Sequence, residues 1–221
     1  HSTIISKPFQ SLYVDLSYMA KCQGFIGFLL LCDHFTKLTF GRLIKSKSSG
    51  HIQSKIQEII DGIKCTYNSN IEECVLRSDN GKEFKNEILN IYLGSINLKQ
   101  KYSNPYSPNE NGVVERNNGT IKTHLKRMIA LDDNIQWIDI LDKVIFSFNN
   151  TYHSVLKCTP FELANKVKKR LSISTSSDYK SILLEKINQK ETIIEINKNM
   201  VKRGATNNRN KSKLKFKIGF P

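Results

Sequence analysis

The sequence predicts a mixed α/β fold, a central sheet with helices on its faces. Three observations lead there. Near the N-terminus three strand-like segments follow one another with short connections, as in an antiparallel meander. After them, strand and helix patterns alternate, the sign of a sheet covered by crossover helices. The run Phe25–Cys32 (FIGFLLLC) is apolar throughout and has the length of a strand buried on both faces.

Each element has its own signal. Phe9 to Met19 (FQSLYVDLSYM) reads as a first strand, aromatic and β-branched around a single acid, Asp15. Gly24 to Asp33 is the second, and Leu38 to Ile44 the third after a turn at 34–37. Ile52, Ile56, Ile59, Ile60 and Ile63 recur at helical spacing, with Ser48 or Ser49 as the cap. Cys74 to Ser78 is a short strand that stops at Asp79, before an Asn80–Gly81 turn. Phe84, Ile88, Ile91 and Tyr92 predict a helix whose apolar face they form, with Glu83 and Glu87 turned outward. A short strand near Leu98–Tyr102 leads into Ser103–Gly112, a Pro-, Asn- and Ser-rich loop expected to be mobile. A long helix is expected from Val113, carrying Val114, Ile121, Leu125, Met128 and Ile129, and another over Asn134–Phe148 around Trp137.

Composition bounds the function. The chain has 221 residues, enough for a core domain over 1–164 and a smaller region over 165–221. Its net charge is +14, of which the last 57 residues carry 15 Lys/Arg against 4 Asp/Glu. That tail, read as a helix around Tyr179–Val201 and a linker at Arg203–Lys213, is suited to a polyanion. No apolar run reaches the ~18–20 residues of a spanning helix, so no membrane partner is expected. The five cysteines are odd in number and contain no CxxC pair, which argues for free thiols rather than a zinc ribbon or disulfide framework. The chain begins with His1 and has no signal-peptide pattern, as expected of a segment of a longer polyprotein or of a trimmed chain.

The chemical signal is an acid triplet on separate elements: Asp15 inside an apolar strand, Asp79 at a strand end, and Glu115 in the first turn of the long helix. An unpaired carboxylate within a buried strand is costly and calls for a reason. Hard divalent cations such as Mg²⁺ take a few carboxylates plus water and substrate oxygens, and two of them clamp the attacking and leaving oxygens of a phosphoryl displacement. Other acids compete. Asp33 also ends an apolar strand and is assigned to a turn, Glu83 and Glu87 to an exposed face, and Glu110 to the loop.

These residues resemble the catalytic core of retroviral and LTR-retrotransposon integrases, the D,D-35-E family. Between Asp79 and Glu115 stand 35 residues, the family spacing. Lys7-Pro8-Phe9 before Tyr13-Val14-Asp15 is similar to the family's first strand, and Arg77-Ser78-Asp79-Asn80-Gly81-Lys82-Glu83-Phe84 to its second-acid motif. Tyr106 to Arg116 (YSPNENGVVER) looks like the third. Asn149-Asn150-Thr151-Tyr152-His153-Ser154, with Thr159-Pro160-Phe161-Glu162-Leu163, resembles the end of the core in gypsy-type elements.

The resemblance implies a ribonuclease H-like five-stranded mixed sheet, with Asp15, Asp79 and Glu115 as catalytic residues and ligands of Mg²⁺ or Mn²⁺, two ions once DNA is bound. It implies 3′-end processing and strand transfer on double-stranded DNA. Asn118, Lys122 and Lys126, near one face of the long helix with Glu115, are the expected DNA contacts. A homo-oligomer, dimer or higher, is expected through the helices over Ile52–Cys65 and Asn134–Phe148. Action in the nucleus follows, with a cytoplasmic virus-like particle if a retroelement encodes the chain. The family's His-His-Cys-Cys zinc domain does not precede Asp15, and its C-terminal module is at most begun at Lys215–Pro221. A related DDE transposase or nuclease, or a domesticated non-catalytic DNA-binding protein, is the alternative.

Overall fold

The computed structural model describes residues 7–67, 74–103, 112–132 and 134–165. The 165–221 extension, apart from its first residue, and most of the loop before Glu115, with Glu110, lie outside them. Among the described residues five strands and four helices follow in order: β1 (Ser11–Cys22), β2 (Phe25–Asp33), β3 (Thr39–Ile44), α1 (Ser49–Tyr67), β4 (Val75–Ser78), α2 (Glu87–Ser95), β5 (Lys99–Tyr102), α3 (Gly112–Leu131) and α4 (Trp137–Asn149).

The sheet has the order β3-β2-β1-β4-β5. The first three strands are antiparallel, as the meander predicted, and β4 and β5 join them in parallel. Period-2 alternation splits the core in two. Leu12, Val14, Leu29, Leu31 and Leu76 face α1 and α2, burying the isoleucines of α1 with Leu89 and Leu93. Tyr13, Phe28, Leu30 and Cys32 face α3 and α4, against Val114, Ile121, Leu125, Trp137 and Leu141. β2 feeds both layers, which is why its sequence shows no alternation.

Turns set the register. Gln23 and Gly24 both have positive φ, 47° and 82°, the hairpin geometry that matches strand twist. Gly27 lies so close to β1 that a Cβ there would sit 2.1 Å from the Ser17 carbonyl oxygen. At the far end, α4 is pinned to β3 by Asn149, whose Oδ1 accepts from Thr39 N–H at 2.9 Å while its Nδ2 donates to Thr39 C=O at 2.8 Å.

Two local expectations fail for physical reasons. Phe9 is not in β1. Its φ is 58°, a left-handed turn that an aromatic residue rarely adopts, and its N–H donates to Asp33 Oδ1 at 2.9 Å. The apolar face assigned to the helix after Asp79 is also wrong. Ile88 and Ile91 are 51% and 66% exposed, and Leu89 and Leu93 are buried instead. Phe84 sits upstream in a turn, its N–H bonded to Gly81 C=O. α2 begins afresh at Asn86, whose side chain caps Leu89 N–H. The helical frame of α2 therefore starts from Asn86 and not from Phe84.

Candidate active site

Asp15 occupies the middle of β1, half-buried, on the face covered by α3. Its Oδ1 accepts from Leu16 N–H at 2.8 Å and its Oδ2 from the Asn118 side-chain amide at 2.5 Å. Asp79 follows β4. Tyr13 pairs with Arg77, and continuing that register by two residues sets Asp79 level with Asp15 on the same face. Glu115 stands exposed in the first turn of α3, where the helix dipole favours a carboxylate.

Burial is the main reason that the Asp15 carboxyl rises from 3.8 to about 6. The hydrogen bonds from Asn118 and Leu16 pull it back, and the charges of Asp79 and Glu115 push it up further. The field of both other acids is thus felt at Asp15, so the fold brings the predicted triplet into one neighbourhood. Among the described residues no three His, Cys, Asp or Glu side chains converge closely enough to hold a metal ion. The donor set is nevertheless of the right chemistry: hard carboxylate oxygens, mutually repelling, with no thiolate or imidazole among them.

The Asn80–Gly81 turn shapes the rim. Gly81 N–H donates to Asp79 Oδ1 at 2.9 Å. A Cβ on Gly81 would lie 2.9 Å from that oxygen and 2.8 Å from the Glu83 carboxyl, so both acids crowd the space that glycine leaves. Glu83, expected on an outward face, is half-buried beside Asp79 because it belongs to the turn and not to a helix. Asn80 Nδ2 donates to Ser103 C=O, and Ser103 N–H to Ser78 C=O, closing the ends of β4 and β5 together.

Asn118 is 6% exposed, its Nδ2 is committed to Asp15, and its Oδ1 is buried without a hydrogen-bond partner. Lys122 is half-buried and Lys126 exposed, further along α3. Asp33 is a turn residue, as assigned: its carboxylate, fully buried, accepts from Phe9 N–H and from both Thr36 N–H and Thr36 Oγ1. All five cysteines are free thiols. A concavity of about 350 Å³ between α3 and α4, lined by His124, Met128, Val144, Phe148 and Tyr152, contains none of the acids.

Sequence reasoning missed a polar network beneath α3. Asn117 Nδ2 donates to Thr39 Oγ1 at 3.0 Å and to Cys32 Sγ at 3.2 Å, and Asn149 holds the Thr39 backbone. The available signal was a pair of asparagines inside the apolar stripe of α3, where a side chain that competes with the backbone needs a partner.

The chain is similar over 167 residues, at 26% identity, to the transposon Tf2-3 and Tf2-4 polyproteins of Schizosaccharomyces pombe. That match takes 75% of this chain and 12% of each relative, so the chain spans about an eighth of their length. No protein-family model matches. Among solved structures, a chain of the simian T-cell lymphotropic virus intasome in complex with a PP2A regulatory subunit superimposes with a TM-score of 0.64 at 19% identity, over 74% of this chain and 57% of that one. The catalytic core of BIV integrase gives 0.58 at 19%, over 73% and 97%. The HTLV-2 integrase core, solved with magnesium, gives 0.56 at 18%, over 71% and 97%.

The fold is that of a retroviral integrase catalytic core. With the likeness to the Tf2 polyproteins, it bears out the resemblance read from the motifs, an integrase core of the gypsy-like LTR-retrotransposon type. The ribonuclease H-like sheet expected of an integrase core is present in full, and no described helix is long and apolar enough to cross a membrane.

Proposed function

We propose that this chain is an integrase core that joins DNA ends into target DNA, with Asp15, Asp79 and Glu115 as its catalytic acids. The observation that carries the reading is geometric: the β1–β4 register sets Asp79 level with Asp15, and α3, which carries Glu115, is bonded to Asp15 through Asn118, on an integrase fold. Residues 1–164 form the catalytic domain and 165–221 a basic extension. The reaction is 3′-end processing followed by strand transfer, differing only in whether water or a DNA 3′-hydroxyl attacks.

Mg²⁺ or Mn²⁺, when held by the three acids, would neutralise developing charge on the phosphoryl oxygens. The protein's part is positional. β1 carries Asp15, the end of β4 sets Asp79 beside it, α3 brings the third acid, and Asn118 orients the Asp15 carboxylate. Lys122 and Lys126 project from the same helix toward DNA phosphates. The HTLV-2 integrase core has been solved in trimeric and dimeric forms, which supports a homo-oligomer here, and joining to chromosomal DNA would take place in the nucleus.

The test is strand transfer and its reverse, disintegration, with a pre-processed DNA end and Mg²⁺ or Mn²⁺. Metal-dependent joining should vanish in Glu115→Gln. Equal activity in that variant would remove Glu115 from the site, excision of a double-stranded element would favour a transposase, and DNA binding without any catalysis a domesticated binding protein.

A further inference from the structure

The α3-side face of the sheet carries a group of cations that the acid site does not use. Arg77 pairs with Tyr13 on one side and with Lys101 on the other. By strand alternation both point to the face of Asp15 and Asp79. Helices α3 and α4 pack over β1, β2 and β3, and Lys99 and Lys101 on β5 are exposed. Arg77 lies over the Tyr13 ring, 5.8 Å from its centroid, and its Nε donates to Ser11 Oγ at 3.2 Å.

A neutral imidazole and a buried lysine stand behind it. His34 packs on the other part of Tyr13, with ring centroids 5.1 Å apart, and its Nδ1 is buried without a hydrogen-bond partner. Lys37 is 8% exposed and donates to the His34 carbonyl at 2.5 Å. Burial first, then the charges of Lys37 and Arg77, hold the His34 imidazole down to about 3, and Arg116 of α3 acts on Lys37 in the same sense. Arg77 and Lys101 thus stand side by side on that face, and Arg116 is exposed in the first turns of α3, the helix that packs over β1 and β2. None of Arg77, Lys101 and Arg116 forms an ion pair with a described carboxylate. Cations that no carboxylate pairs directly keep their donors open to an anion.

We propose that Arg77, Lys101 and Arg116 form a cleft for a DNA backbone phosphate, beside the acid site and distinct from it. The inference rests on the DNA-joining reading and adds the course of the strand. Arg77 precedes Asp79 by two residues, about 6.6 Å along a strand, roughly two base-pair rises. A phosphate held there is a near neighbour of the reacting one. Three carboxylates alone would repel DNA. A cationic row one pleat away offsets that repulsion and sets the direction in which the strand crosses the sheet.

The test uses the whole chain and a short DNA duplex in EDTA, with affinity followed across salt concentration. Lys101→Gln and Arg116→Gln remove exposed charges and should each lower the slope of log K against log salt by about 0.9, the value for one phosphate contact. With Arg77→Gln added, the decrease should approach three contacts, while Arg77→Lys with Arg116→Lys keeps the slope. Removal of Lys21, Lys64 and Lys143, which lie elsewhere, should leave it unchanged. A wild-type slope in Lys101→Gln and Arg116→Gln, or an equal fall in the control, overturns the cleft. Glu115→Gln separates the two readings, since it should abolish joining yet bind duplex with the wild-type slope. If wild type binds duplex with the predicted variant effects but never joins ends, the integrase reading fails and the cleft stands. If wild type binds no DNA, both fall.

Discussion

The Asn118 side-chain amide donates to Asp15 across 2.5 Å, from the turn of α3 that follows Glu115. One helix therefore presents an acid to the site and a neutral donor to the acid already there. Asp15 is caught between burial, which favours its protonated form, and two hydrogen bonds that favour the ionised form. The compromise keeps a charged group in place at neutral pH at a cost to the fold.

That cost is measurable in Asp15→Asn. A carboxyl raised from 3.8 to about 6 on folding binds its proton more tightly in the folded chain. Its contribution to stability is greatest below 3.8 and falls as pH rises through about 6, by on the order of 3 kcal/mol. Asparagine carries no charge, but its NH₂ cannot accept from Leu16 N–H, which takes back about 1 kcal/mol. Urea unfolding in EDTA at pH 8 should show the variant more stable than wild type by about 1–2 kcal/mol, with the advantage gone near pH 4. A variant less stable at pH 8 would mean that the Asp15 charge is better solvated than its burial implies.

Substitution of Asp33 should have the opposite effect on stability, with the same sign of pH dependence. Its carboxylate takes three hydrogen bonds and holds Phe9 in a left-handed turn. Asp33→Ala leaves buried donors unpaired and should cost at least about 3 kcal/mol. Burial raises the Asp33 carboxyl above 3.8, so its contribution grows as pH falls and shrinks as pH rises. The stability gap between wild type and Asp33→Ala should accordingly be wider near pH 5 than at pH 8, by denaturant midpoint. A gap that narrows with acid would contradict the burial-driven shift.

The two close-packed glycines of the sheet should differ in how they fail. An alanine Cβ at Gly27 would meet the Ser17 backbone at 2.1 Å, and one at Gly41 the tip of the Ile145 side chain at 2.2 Å. Backbone cannot yield without breaking the β1–β2 ladder, whereas Ile145 can turn or be shortened. Gly41→Ala should cost about 1–3 kcal/mol, most of it recovered in a double variant with Ile145→Val, which deletes the clashing methyl. Gly27→Ala should cost more, with no rescue from Ile145→Val. Additive costs in the Gly41–Ile145 pair would show that α4 moves as a whole.

What the sequence disclosed follows from how each feature is encoded. The continuous apolar run of β2, the isoleucine spacing of α1 and the acids with their 35-residue interval are local or motif-borne, and the corresponding elements stand where they were expected. The buried face of α2 was misread because Asn86, a cap, resets the helical frame after Phe84. Phe9 was placed in a strand because its aromatic ring suits one. Its actual φ depends on a carboxylate 24 residues later in the chain. The asparagine network and the row Lys101–Arg77 arise from pairings between distant segments. Their residue types were visible, but their partners were set by register, which composition does not reveal.

The parallel pairing of β1 with β4 has a consequence for how the chain acquires its chemistry. Ser11 to Tyr13 meet Val75 to Arg77 only after the whole of β2, β3 and α1 has been made and folded over. Such a non-local closure is slow, because loop entropy is lost before the contacts that reward it form. Asp15 and Asp79 are therefore strangers in a nascent or partly folded chain, and neither alone offers a cation more than a single carboxylate. Whatever chemistry needs both acids is therefore available only once the sheet is complete, and an unfinished copy holds no paired-acid site.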